Sequence, residues 1–138
     1  MTSIGNEIHV KTIVIATQNE KKKGEILEIL KNVPGILLRG VEDFPFSPAV
    51  EEDGNSFREN AIKKATILAM ACNTWAMADD SGLGIDALNG RPGIYSSRYA
   101  GPNATDEKNI EKVLSELRGV PKEKRTARFL CSIALASP

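Results

Sequence analysis

The sequence predicts an α/β fold built on a mostly parallel sheet. Two observations carry that expectation. Short β-branched or apolar runs alternate with segments of helical period, and turn residues such as Pro34-Gly35 and Gly119 fall at the changes of period. The 138 residues also suffice for one domain with a real core, and they contain no repeat or low-complexity stretch.

Residues 12–16 (Thr-Ile-Val-Ile-Ala) are a β-branched run between polar residues and predict a buried strand. From Asn19 the period turns helical, with Ile26, Leu27, Ile29 and Leu30 on one face and Pro34-Gly35 as the stop. Residues 36–38 (Ile-Leu-Leu) predict a second strand, and residues 43–55, with two prolines, a glycine and four acids, predict a loop. Ser56-Phe57-Arg58-Glu59 fits a capping box, in which the serine accepts from the third helical amide and the glutamate reaches back. Phe57, Ala61, Ala65, Leu68 and Ala69 then share one face of a helix reaching about Cys72. Residues 75–78 read as a strand that delivers Asp79-Asp80 at its C-terminal end, and residues 83–88 as a further short strand. Residues 89–103, with three glycines and two prolines, predict an ordered loop. After Thr105 a third helix places Ile110, Val113, Leu114 and Leu117 on one face, with Gly119 as its C-cap. Residues 126–136 have the composition of a longer strand.

Composition narrows the function. Eighteen Lys and Arg balance eighteen Asp and Glu, which argues against a nucleic-acid-coating surface but permits one nucleotide at a local positive cluster. No apolar run approaches the roughly 20 residues needed to span a bilayer. Residues 1–7 have neither a basic n-region nor an apolar h-region, so no signal peptide is expected and a cytoplasmic location is. Cys72 and Cys131 lie in apolar surroundings and predict two reduced, buried thiols. The single histidine, His9, stands near the N-terminus, which sets aside Ser-His-Asp, Cys-His and His-rich zinc chemistry. Acid–base work then falls to carboxylates, lysines or metal-bound water.

Four constellations could carry it. Thr17-Gln18-Asn19-Glu20-Lys21-Lys22 straddles a strand-to-helix turn, where unpaired amides and the helix dipole favour an anion. On spacing alone, Asn19 as a plain helix cap and the lysine run as a solvated face is the favoured reading. Glu51-Glu52-Asp53-Gly54 is either a solvated acidic loop or a source of an oxygen ligand for Mg²⁺, and Lys64 faces a phosphate or solvent. Asp79-Asp80-Ser81-Gly82 places two costly acids after an apolar strand, where open α/β sheets bind ligands. Adjacent strand residues point to opposite faces, so the two acids have different jobs. One would hold a metal and deprotonate water, while the other positions a group such as Lys64. An Asp-Ser-Gly turn competes for Ser81-Gly82 but explains the paired acids poorly. In Gly90-Arg91-Pro92-Gly93-Ile94-Tyr95-Ser96-Ser97-Arg98-Tyr99, Arg98 could meet phosphate, while the glycines and proline shape the loop.

Taken in order, these segments resemble the inosine-triphosphate pyrophosphatase family. The matching pieces are Ile15-Ala16-Thr17-Gln18-Asn19 with Lys22, Glu51-Glu52-Asp53-Gly54-Asn55-Ser56-Phe57 with Glu59-Asn60-Ala61, and Lys64-Ala65. Ala78-Asp79-Asp80-Ser81-Gly82-Leu83, the Gly90-to-Tyr99 run and Ala127-Arg128-Phe129 follow. The resemblance covers the chain from about Val10 and is specific as an ordered set. It implies a mixed, largely parallel sheet flanked by helices, in one elongated domain with a cleft. It implies Mg²⁺-dependent hydrolysis of ITP, dITP or XTP to the monophosphate and pyrophosphate, in a homodimer that sanitises the nucleotide pool. By position, Thr17, Gln18, Asn19 and Lys22 correspond to the triphosphate cradle, and Ser81 to a substrate contact. Glu51 and Asp80 correspond to the metal acids, Asp80 also to the proton acceptor, and Asp79 and Lys64 to supporting charged groups. No nucleic-acid or membrane partner is expected.

One departure stands out. The family's glycine-rich Phe-Gly-Tyr-Asp-type and Ser-His-Arg segments, which help form the base pocket, are not found, and the chain stops at Ala136-Ser137-Pro138 directly after a predicted strand. The sequence therefore leads to the expectation of a C-terminally incomplete domain whose phosphate and metal residues are present. A non-catalytic nucleotide-binding fragment, or a related pyrophosphatase with another base preference, are the competing expectations.

Overall fold

The computed structural model describes residues 9–138. The expectation of no leader in residues 1–7 lies outside the described residues. The chain runs β1 (Lys11–Ile15), α1 (Glu20–Leu30), β2 (Ile36–Gly40), α2 (Phe57–Cys72), β3 (Trp75–Ile85), α3 (Asp106–Glu116) and β4 (Ala127–Ala136). Short 3₁₀ turns stand at Val41–Asp43, Asp86–Leu88, Gly93–Arg98 and Lys122–Lys124. The strands form one mixed, mostly parallel sheet in the order β2-β1-β3-β4. β1 pairs in parallel with β2 from Lys11↔Ile36 to Ile15↔Gly40, and with β3 from Ile13↔Trp75 to Ile15↔Met77. Helices α1 and α2 supply the crossovers that parallel strands require. Among the described residues no helix is long and apolar enough to cross a membrane.

Contacts divide the chain into two compact units, each with its own core. The first holds the described residues up to Glu52 together with Ile62–Ala78 and Ala134–Pro138, and the second holds Asp53–Ala61 and Asp79–Ile133. In the first, Val14 and Ala16 meet Ala65, Leu68 and Ala69 of α2 and Ala76 and Ala78 of β3. The alanines bring the helix backbone close to the strands, and Val14 and Ile15 supply the β-branched bulk that favours a buried strand. In the second, Ile85, Leu88 and Leu117 form the centre, with Leu83, Val113 and Val120 around them.

The elements expected from periodicity are present, with four differences. The two strands expected at residues 75–78 and 83–88 are one, since β3 continues through Asp79-Asp80-Ser81-Gly82 and residues 86–88 form a 3₁₀ turn instead. The paired acids therefore lie within a strand, and no Asp-Ser-Gly turn forms. Of the four apolar residues on α1, Ile26 and Leu30, four residues apart, are half-buried, while Leu27 and Ile29 flank that line and are exposed. On α3 the same spacing buries Leu117 and half-buries Val113, leaving Ile110 and Leu114 exposed. Cys131 is exposed and Cys72 half-buried, against the expectation of two buried thiols. The reason is the period of β4: Phe129, Cys131, Ile133 and Leu135 share its outward face at the edge of the sheet.

Candidate active site

The alternation along β3 separates the two acids. Ala76, Ala78, Asp80, Gly82 and Gly84 are buried, whereas Asp79, Ser81 and Leu83 between them are partly exposed. Asp80 is thus the inward acid, at 7% exposure, and Asp79 the outward one. β1 pairs with β3 only as far as Met77, so both acids stand on a stretch that has outrun that neighbour. They stand beyond the carboxyl end of β1, and the carboxyl ends of strands are where α/β sheets present ligand-binding groups.

Asp80 is held at both oxygens. Its Oδ2 accepts from Asn60 Nδ2 at 2.8 Å, and its Oδ1 accepts from the Ser81 backbone N–H at 3.0 Å. Among the described residues no lysine, arginine or histidine forms an ion pair with it. A buried carboxylate satisfied by N–H donors alone still favours a cation nearby.

Asn60, at 1% exposure, carried no role in the sequence reading. Its Oδ1 accepts from the Gly54 N–H at 2.7 Å. The expected capping box delivers it: Glu59 N–H donates to Ser56 Oγ at 3.1 Å, and Glu59 Oε2 accepts from Asn55 N–H at 2.8 Å. The glutamate reaches Asn55 rather than Ser56, one residue farther back than expected. The signal that could have found Asn60 is its position on α2, between Phe57 and Ala61 on the apolar face, where a polar side chain requires a buried partner.

The Gly-Pro loop braces the strand beside the acids. Leu83 N–H donates to Ser96 Oγ at 2.9 Å, and the Ser96 hydroxyl donates to the Gly93 carbonyl at 2.6 Å. Gly84 and Pro92 add an isolated antiparallel bridge. The loop comes so close that a Cβ on Gly82 would lie 2.6 Å from Ser96 Oγ and nearer still to the Gly93 carbonyl. Arg98 lies 5.2 Å from the Tyr95 ring centre as a cation–π pair. Arg91 and Tyr99 converge on Glu116, and burial, then that carboxylate, pushes the Tyr99 hydroxyl above its ordinary range.

The first unit holds the strand-to-helix turn of Thr17, Gln18, Asn19 and Lys22. Asn19 caps α1, its Oδ1 accepting from Lys21 N–H at 3.1 Å and Lys22 N–H at 3.2 Å. Thr17 Oγ1 accepts from Asn19 N–H at 3.1 Å. The capping and phosphate readings are therefore compatible. With Oδ1 turned to the helix, the Asn19 Nδ2 is left as an outward donor, and the Thr17 hydroxyl keeps its proton to give. Gln18 is exposed, and a groove of about 350 Å³ runs past Thr17 and Gln18 to Glu42 and Phe44. Lys23, one residue beyond Lys22, ion-pairs with Glu42, which raises the lysine and lowers the glutamate. Lys64 ion-pairs with Glu52, while Glu51 is exposed. A larger hollow of about 730 Å³ lies along α3, between Lys108 and Arg118, and includes none of the candidate site residues.

Among the described residues no group of three or more His, Cys, Asp or Glu side chains could hold a metal by itself. Mg²⁺ does not need one, because it binds through one or two carboxylates and completes its shell with water and substrate phosphates. Asp80, a hard oxygen donor buried without a cationic partner among the described residues, fits that use.

Known proteins resemble this chain in sequence and in fold. The pattern that defines the Ham1 family matches residues 13–138. A curated protein of Geobacter sulfurreducens named dITP/XTP pyrophosphatase is 56% identical over 126 residues, covering 91% of this chain and 63% of its own length. Its namesake in Bacillus subtilis is 50% identical over 131 residues, covering 95% and 66% respectively. The solved structure of a HAM1 protein from Coxiella burnetii superposes with a TM-score of 0.84 at 46% identity, over 91% of this chain and 63% of that one. The Staphylococcus aureus Ham1 protein gives 0.81 at 44%, over 93% and 64%. The chain thus spans just under two thirds of the length of these relatives.

Proposed function

The chain belongs to the Ham1 family, and from that membership we propose that it is a Mg²⁺-dependent nucleoside-triphosphate pyrophosphohydrolase. It cleaves ITP, dITP or XTP between the α- and β-phosphoryl groups, giving the monophosphate and pyrophosphate. The observation that carries the reading is Asp80, a buried carboxylate oriented at both oxygens and paired with no cationic side chain among the described residues. The dITP/XTP pyrophosphatases of Geobacter and Bacillus, at 56% and 50% identity, support the substrate class.

Thr17, Gln18, Asn19 and Lys22 bind the triphosphate through hydroxyl, amide and ammonium donors. Asp80 and Glu51 would be the carboxylates that hold Mg²⁺, which would supply neutralisation of the phosphate charge. Asp80 also accepts the proton of the attacking water, Ser81 contacts the substrate, and Asp79 and Lys64 set the charge around them. No covalent nucleophile is needed, because phosphoryl chemistry is governed by positioning and charge stabilisation. The protein acts as a homodimer in the cytoplasm, and neither nucleic acid nor membrane is its partner.

The test pairs calorimetry with turnover on the 138-residue chain. ITP binds in the presence of Mg²⁺ and is turned over, and Asp80→Asn lowers kcat by at least about 100-fold. Tight binding with no turnover in the unsubstituted chain would replace this reading with that of a nucleotide-binding fragment. A panel of pyrimidine and modified nucleotides separates the third possibility, a pyrophosphatase of different base preference.

A further inference from the structure

We propose that Asn60 is the positioning residue for Asp80, fixing that carboxylate in the rotation that receives a divalent cation. The inference rests on the reading of Asp80 as a metal acid. Asn60 is almost wholly buried, and both ends of its amide are engaged. The partners settle which end is which. Gly54 N–H can only donate, so the atom 2.7 Å from it is the carbonyl Oδ1, and the atom 2.8 Å from Asp80 Oδ2 is the Nδ2 donor. The amide therefore relays the position of the Gly54 backbone to the carboxylate.

A carboxylate turns broadly about its last torsion unless something stops it. Here Ser81 N–H holds Oδ1 and Asn60 holds Oδ2, so the remaining lone pairs of both oxygens have a set direction. Outer groups that orient a metal ligand in this way commonly carry about 10–100-fold in metal affinity. Gly54 completes the device. Its φ is not positive, so no conformational need selects glycine there. Space does, because a Cβ at Gly54 would lie 2.6 Å from Asn60 Oδ1. An alanine at this position would push the amide off its seat.

The experiment measures Mn²⁺ binding by electron paramagnetic resonance on the full chain without nucleotide, with circular dichroism and thermal unfolding to confirm folding. Asn60→Ala and Gly54→Ala each weaken Mn²⁺ binding by about 10-fold or more. Asn60→Ser, which keeps a small polar group but cannot span to Asp80, behaves as the alanine variant and replaces it if that variant does not fold. The double variant Asn60→Ala/Gly54→Ala binds no more weakly than Asn60→Ala alone, because the two act through one contact. Wild-type affinity in folded Asn60→Ala or Asn60→Ser, with Asp80→Asn defective, overturns the positioning role and leaves the metal-acid reading standing. Additive losses in the double variant overturn the relay through Gly54. Unchanged affinity in Asp80→Asn overturns the reading of Asp80 itself, and the proposal with it.

Discussion

Gly82→Ala offers a quantitative test of why glycine follows Asp79-Asp80-Ser81. In a turn, alanine would be opposed by backbone conformation; within β3 it is opposed by space. The new methyl would lie 2.6 Å from Ser96 Oγ, 3.1 Å from Phe57 Cε1 and closer still to the Gly93 carbonyl. The serine can rotate away only by giving up its bond to Leu83 N–H, while the carbonyl belongs to a backbone that must shift. Overpacking typically costs about 1–3 kcal/mol and a lost hydrogen bond about 1, so roughly 2–4 kcal/mol is expected. Gly84 is the control, two residues on and on the same buried face of the strand. Its added Cβ would approach Leu130 Cδ1 at an ordinary 3.4 Å, and Gly84→Ala should change stability by less than about 1 kcal/mol. Urea unfolding followed by circular dichroism and by Trp75, the only tryptophan, measures both. Ser96→Ala removes one obstruction, so Gly82→Ala/Ser96→Ala should lose less than the two single losses combined. Equal stabilities for Gly82→Ala and the unsubstituted protein would refute the close approach of the 93–98 turn to the strand that carries Asp80.

Other consequences can be measured separately. Asn19→Ala should cost about 1 kcal/mol through loss of the α1 cap and also weaken triphosphate binding. Asn19→Ser should restore the stability but not the affinity, since serine caps without the outward amide; recovery of both in nucleotide titrations would leave Asn19 a cap alone. Asp86 is held below the ordinary carboxylate range by the Thr126 hydroxyl, 2.6 Å away, and then by Arg128. A lowered folded value gives stability present above the unfolded pKa and lost as pH falls through the folded one. The thermal midpoint of Asp86→Asn should therefore fall below that of the parent at neutral pH and converge with it in strong acid; a pH-independent gap would contradict this. Finally, burial pushes the Cys72 thiol up while Cys131 is exposed, so a disulfide reagent near pH 8 should modify Cys131 first. Faster modification of Cys72, located by peptide mapping, would contradict it.

Where the physics was local, the sequence was readable. The β-branched run of β1 and the Ser56–Glu59 box are set by neighbours within a few residues, and β1 and α2 appear almost as expected. The period of two also puts Asp79 and Asp80 on opposite faces, because alternation is a property of the strand itself. The continuity of β3 was not readable. Asp-Asp-Ser-Gly has poor strand propensity, and the strand is braced by Ser96 and Pro92, which lie farther along the chain and reach back to Leu83 and Gly84. Asn60 escaped for a related reason. Its place on the apolar face of α2 signals a buried partner, but the partners themselves, Gly54 and Asp80, are brought to it only by the tertiary fold. The pairing of Lys64 with Glu52, across twelve positions of loop and helix, has no periodic signature either.

The first product formed from ITP or XTP tests the central claim most directly. Quench-flow with phosphorus NMR should show inosine or xanthosine monophosphate and pyrophosphate rising together from the earliest time, with Asp80→Asn severely impaired. Orthophosphate and the diphosphate as first products would contradict the account.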